Sequence, residues 1–134
     1  HDSPQRTPRH ISKMIADAVV NIAEGKEEII EIGDMSVRKE WGFAGDIVEA
    51  IWTLVQQDDI SEAVLGTGEA YSIQDYIKAC FAVIGKDWTK YIREKDGFKA
   101  EYSQLVSNPA TIFSLGWRPQ TSFAELVNLM LNHE

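Results

Sequence analysis

Apolar residues return at Ile11, Ile15, Val19 and Ile22, every third or fourth position, and Gly25 follows the last of them. That spacing predicts a first helix with one buried face, closed where glycine accepts a left-handed backbone most easily. Residues 29–32 break the period. Three isoleucines around Glu31, ending at Gly33, are short and β-branched, which predicts a strand. Ile47, Ile51, Leu54 and Val55 restore helical spacing and predict a second amphipathic helix from about residue 44 to 57.

A short apolar run at 63–65 predicts another strand, leading into Gly66-Thr67-Gly68. Ser72 with Asp75 forms an N-cap for a helix carrying Ile73, Ile77, Cys80, Phe81 and Ile84, stopped by Gly85. Residues 88–93 read as a strand, followed by a turn at Asp96-Gly97. Asn108-Pro109 places proline at a first helical position, with Gly116 as the stop. Ser122 and Glu125 form a capping box opening a last helix whose stripe is Phe123, Leu126, Val127, Met130 and Leu131. The expected order is αβαβαβαα, a small helix-rich α/β unit with few short strands. So small a sheet leaves open edges and one-sided helices, so exposed apolar surface is expected.

A chain of 134 residues is enough for one core. Its net charge of −8 has the wrong sign for a phosphate-backbone footprint, which excludes nucleic acid as a general partner. No apolar run reaches membrane-span length, so no membrane partner is expected. One cysteine, Cys80, rules out an internal disulfide and a cysteine-rich metal cage; the cytoplasm is the expected compartment. Residues 1–8 begin with His1 and lack a signal-peptide core, and the chain reads as the middle of something longer.

There is no complete glycine-rich phosphate fingerprint, no phosphate-loop lysine and no nucleophile-elbow serine. Gly66-Thr67-Gly68 lacks the third glycine of a dinucleotide motif, and a plain turn is the favoured reading. His1, His10 and His133 lie at the chain's ends without ligand spacing, so no zinc site is expected. Cys80 falls on an apolar helix face, where a thiol stays protonated and packs. The segment 37–43 places Arg38, Lys39 and Glu40 beside Trp41 and Phe43 in a strand-to-helix connection. Arg38 and Lys39 there are either diphosphate ligands or a solvated charge pair beside a buried tryptophan. Glu101, in Lys99-Ala100-Glu101-Tyr102, is either an acceptor for sugar hydroxyls or an ordinary surface carboxylate.

Several of these stretches recur together. His1-Asp2-Ser3-Pro4-Gln5-Arg6, Lys39-Glu40-Trp41-Gly42, the run from Asp46 to Trp52, Gly66-Thr67-Gly68-Glu69 and Leu115-Gly116-Trp117-Arg118-Pro119 with Thr121-Ser122-Phe123 stand in order along the chain. The set resembles the C-terminal part of the GDP-mannose 4,6-dehydratases, within the extended short-chain dehydrogenase/reductase superfamily.

The resemblance implies that residues 1–134 are the C-terminal substrate-binding portion, with an N-terminal dinucleotide-binding domain and the catalytic Thr, Glu, Tyr and Lys upstream of His1. It implies NADP as cofactor, with His1 and Arg6 on the family's cofactor-contacting stretch. In the family, NADP accepts hydride from C4 of the sugar, a Glu takes the C5 proton, water leaves C6 and the hydride returns there. Ile11 and Met14 fall on positions that flank the nucleotide, Lys39 on a diphosphate-binding arginine and Glu101 on a conserved-pattern glutamate. Met14 and Lys39 replace a lysine and an arginine of that pattern, so a different nucleotide-sugar, or epimerase or reductase chemistry, fits as well as GDP-mannose. The implied partners are a nucleotide-sugar and the N-terminal domain; alone, the chain is expected to be inactive and to self-associate through its second helix. The reading from another class is a stand-alone binding or interaction module.

Overall fold

A computed structural model of the chain describes residues 1–132. Helices α1 (Ile11–Ala23), α2 (Ala44–Val55), α3 (Ile73–Ile84), α4 (Ala110–Ser114) and α5 (Phe123–Leu131) are joined by strands of two or three residues. The strands are β1 (Ile30–Ile32), β2 (Arg38–Glu40), β3 (Ala70–Ser72), β4 (Ile92–Glu94) and β5 (Gln104–Leu105). β1 pairs with β4 in parallel, Glu31 opposite Arg93. A second sheet runs β3-β2-β5, antiparallel between β2 and β3 and parallel between β2 and β5. This is the small helix-rich α/β unit that the apolar pattern implies.

The core lies among α1, α3 and α5. Ile15, Val19 and Ile22 meet Tyr76, Ile77, Cys80 and Phe81 from α3 and Leu126, Val127 and Met130 from α5, all 0–1% exposed. Each large side chain so buried contributes about 1.5–3 kcal/mol of transfer free energy. The two capping boxes form as the sequence spells them. Ser72 Oγ accepts from the Asp75 amide while Asp75 accepts from the Ser72 amide, both at 2.9 Å; Ser122 and Glu125 repeat the exchange at 3.2 and 2.7 Å.

Several elements differ from the sequence reading. Residues 63–65 form no strand: Ala63 and Leu65 turn toward a second small cluster of Ala50, Ile112 and Trp117, and Val64 faces out. The alternation of a strand is present, but no described strand lies beside it to complete a ladder. Residues 88–93 divide into a 3₁₀ turn at Trp88–Lys90 and the start of β4, because Asp87 accepts from the Thr89 amide and hydroxyl and holds the chain in a tight turn. β2 and β5 carry no apolar alternation and were not expected as strands; backbone pairing with β3 defines β2. Pro109 is the N-cap of α4 rather than its first residue.

Candidate functional site

The chain's first residues fold back onto the start of α2. The Asp2 amide donates to the Gly42 carbonyl at 2.6 Å, and the Ala44 amide donates to the Asp2 carbonyl at 2.8 Å. The Asp2 carboxylate, 3% exposed, accepts from Arg6 Nη1 at 2.7 Å and from the Ser12 hydroxyl. Arg6 also donates to the His1 carbonyl and lies 3.0 Å from His10 Nδ1. His1, Ser3, Arg6 and His10 border an open depression of about 360 Å³. Three of the guanidinium's neighbours are within the chain, and the exposed His1 and half-buried Arg6 leave one polar edge facing that depression.

Lys39 belongs to the same group. Its ammonium stands 4.3 Å from the centre of the Trp41 ring, close enough for a cation–π contact. Burial pushes the amine's pKa down; the negative Asp2 pulls it back up, and the positive Arg6 adds to the lowering. A partly desolvated cation with one buried carboxylate nearby is suited to taking a second anion. Trp41 is fixed beneath it, stacked on Tyr76 at 4.4 Å and donating Nε1 to the Tyr71 carbonyl at 2.9 Å. Arg38, next in sequence, points to the other side of β2, where Nη2 donates to the Ala70 carbonyl at 2.7 Å. Arg38 and Lys39 therefore lie on opposite faces of β2.

Met14 lies elsewhere. It borders a cleft of about 590 Å³ between α1 and the β1–β4 sheet, together with Pro8, Ile29, Arg93 and Lys95. Methionine, proline and isoleucine give this cleft an apolar wall and the two cations a charged end; Asp17, Glu28 and Glu31 are also on its rim. Ile11 packs half-buried against the main core. Glu101 is exposed in the loop before β5. Thus the structure groups His1, Arg6 and Lys39 around Asp2, sets Met14 in a separate cleft, and leaves Glu101 apart.

Glu40 and Asp46, which the sequence reading quoted within longer stretches without giving either a role, hold this frame. Glu40 Oε1 accepts from the Thr67 hydroxyl at 3.1 Å, the Gly68 amide at 2.5 Å and the Ser107 hydroxyl at 3.0 Å, and Oε2 accepts from the Ser107 amide at 2.9 Å. Burial alone would raise its pKa, but these hydrogen bonds outweigh burial and lower it. Gly66-Thr67-Gly68 is accordingly a turn locked by Glu40. A Cβ on Gly66 would stand 2.3 Å from Ser107 Oγ, and Gly68 has φ +75°. Asp46, 6% exposed, accepts from the Gln120 and Thr121 amides at 3.1 and 2.8 Å and ties α2 to the loop before α5. A charged residue at a helix start, opening the resembling run from Asp46 to Trp52, was the sequence signal for Asp46; Arg93 and Lys95 gave none until β4 was placed beside β1.

Cys80 is buried, and burial pushes its thiol up to about 12, so it is a packing residue. Among the described residues no three His, Cys, Asp or Glu side chains converge as a metal cage, and His133 lies outside the described residues. No described helix is long and apolar enough to cross a membrane.

The family model described as GDP-mannose 4,6 dehydratase matches residues 1–130. The chain is 32% identical over 152 residues to a GDP-mannose 4,6 dehydratase of Dictyostelium discoideum, covering 98% of this chain and 42% of that protein. It is 29% identical over 137 residues to GDP-mannose 4,6 dehydratase 2 of Arabidopsis thaliana, covering 100% and 37% respectively. The chain thus spans about two-fifths of the length of these curated relatives. Among solved structures, RMD from Pseudomonas aeruginosa complexed with NADPH superposes with a TM-score of 0.88 at 17% identity, over 96% of this chain and 43% of that one. A UDP-glucose 4-epimerase from Thermotoga maritima, with UDP-glucose, gives 0.78 at 21% identity, over 97% and 41%. At these identities the structural likeness is one of fold.

Proposed function

The chain belongs to the GDP-mannose 4,6-dehydratase family, and from that premise we propose that it is the nucleotide-sugar-binding portion of an NADP-dependent 4,6-dehydratase. The observation that carries the reading is the match over residues 1–130, which leaves almost nothing of the chain outside the family.

Within this reading the cleft beside Met14 takes the nucleotide, its apolar wall against the base and Arg93 and Lys95 toward phosphate. Lys39, partly desolvated and held over Trp41, lies outside this cleft on the Asp2 side, and is proposed as a point charge for a diphosphate that reaches beyond it. Ile11 supports the nucleotide wall from the core side, and Glu101 accepts hydroxyls of the sugar or ribose. His1 and Arg6 fit one edge of a dinucleotide site, since Arg6 is oriented by Asp2 and keeps donors beyond the three contacts it makes. They would hold NADP, which supplies the hydride acceptor when bound. The general acid and base of the dehydration are proposed to lie in the dinucleotide-binding domain.

Support for that second domain comes from one face. Val48, Trp52 and Val55 on α2 are 62–68% exposed. An uncovered apolar helix face of this kind suits an adjoining layer, which is where the cofactor-binding domain is proposed to sit.

Incubating the purified 134-residue chain with NADP and GDP-mannose, and following sugar products by mass, tests the division of labour. The expected result is no 4-keto sugar. Turnover by this chain alone would contradict it. Because dehydratases and epimerases share this fold, the whole protein is assayed with GDP- and UDP-sugars: loss of water assigns a dehydratase, and an unchanged mass with inverted stereochemistry assigns an epimerase.

A further inference from the structure

Nine aspartates lie along the chain, and in eight of them the carboxylate is occupied or the next residue is bulky. Asp2 and Asp46 are buried and accept hydrogen bonds, Asp17 pairs with Lys13 at 2.7 Å, and Asp75 is in a capping box. Asp34 and Asp87 each bond the amide two residues on, at 2.9 and 3.1 Å. Asp58 and Asp59 are exposed, but a branched or charged side chain follows each.

Asp96 is different. It is exposed at the tip of the turn after β4, and Gly97 follows it with φ +72° and no heavy atom within 4 Å of where a Cβ would stand. Only the two flanks of the turn are anchored: the Lys95 amide donates to the Ile32 carbonyl at 2.8 Å, and the Phe98 ring lies against Gly33. We propose that Asp96 is a site of spontaneous aspartate isomerisation in the folded chain, and that its product alters the rim of the cleft lined by Arg93 and Lys95.

The Gly97 backbone nitrogen attacks Asp96 Cγ. A new N–Cγ bond forms, the Cγ–OH bond breaks, and the hydroxyl leaves with the amide proton as one water, closing a succinimide. Glycine offers the least steric resistance to this attack, and an exposed loop tip allows the required change of ψ. Water then adds to one of the two ring carbonyls. Opening at Cγ restores aspartate; opening at the backbone carbonyl gives isoaspartate, in which the main chain runs through Cβ. Nothing is oxidised or reduced. The product has one extra backbone atom between Lys95, bonded to Ile32, and Phe98, which lies against Gly33, and in the proposal this added length displaces Lys95 or lifts Phe98 from Gly33. The isomerisation itself does not depend on the proposed function.

The test is to age the purified 134-residue chain at neutral pH in ¹⁸O-labelled water and to map label and isoaspartate by peptide mass spectrometry and isoaspartyl methyltransferase. The folded chain should accumulate isoaspartate at Asp96 about ten-fold over Asp58 or Asp59, given the glycine and the open turn. Asp96→Glu, which disfavours the five-membered ring, should abolish it. Backbone amide shifts of Lys95 and Phe98 should move in the aged protein and not in the aged variant. Absence of label at Asp96, equal label at Asp58 and Asp59, or unmoved Lys95 and Phe98 signals in the isomerised form would overturn the proposal.

Discussion

Lys39 shows how a single side chain takes its chemistry from its surroundings. In sequence it is one of two adjacent cations; on β2 the alternation of the strand sends Arg38 to the Ala70 carbonyl and Lys39 over Trp41. Glu40, between Lys39 and Trp41, has the opposite lesson. Its four accepted hydrogen bonds make it the fastener of the 66–68 turn, which no spacing rule could foresee because Ser107 is 67 positions away. Glu40→Gln would set an NH₂ against one of the backbone amides, and a loss of about 2 kcal/mol is expected in chemical denaturation. Tyr76→Phe, which removes only the hydroxyl that donates to the Ser12 carbonyl at 3.0 Å, should cost about 1 kcal/mol. Glu40, Asp34, Asp87 and Glu125 all have carboxyl pKa values below the ordinary ones. For Glu40 the hydrogen bonds overcome burial; the others are lowered by Ser36, Thr89 and Ser122 respectively. A depressed folded pKa contributes stability above the unfolded value that is lost as pH falls through the folded one. Thermal stability should therefore fall below the ordinary glutamate value of 4.5, and the Glu40→Gln variant should lose less in that range.

Elements were legible where one stretch of chain decides its own structure. The helices α1, α3 and α5 carry their apolar stripes at helical spacing, and two of them carry a capping box; all form as read. Strands were legible only in part, because β2 and β5 exist through their partners and residues 63–65 have none among the described strands. The same lack of partners leaves α2 half-covered: Ile47 and Leu54 pack on the small cluster with Ile112 and Trp117, while Ile51 remains 47% exposed. At roughly 25 cal/mol per Å² of apolar surface, covering that outer face gives several kcal/mol toward association. Repulsion from the net charge of −8 is screened beyond about 8 Å at physiological salt. The isolated chain is expected to self-associate in light scattering across a dilution series, and Ile51→Glu to shift it toward monomer. A wild-type chain that stays monomeric at high concentration would count against an unpartnered α2.

At the scale of the whole molecule, a small α/β unit was legible from periodicity, and its family from five short stretches in order; the site was legible only as a set of separate residues. His1, Arg6 and Lys39 meet because Asp2 pairs with Gly42 and Ala44 across forty positions of chain, a closure that no local pattern contains. Arg93 and Lys95 became candidates once β4 lay beside β1. In the proposed function this unit offers a nucleotide-sugar one wall of its binding site. Its most direct test is chemical-shift mapping of the 134-residue chain with GDP-mannose. Weak binding is expected, with shifts concentrated at Met14, Lys39, Arg93 and Lys95, because an open wall supplies only some of the contacts that orient a ligand. Sub-micromolar affinity, or shifts that leave those residues unmoved, would contradict it.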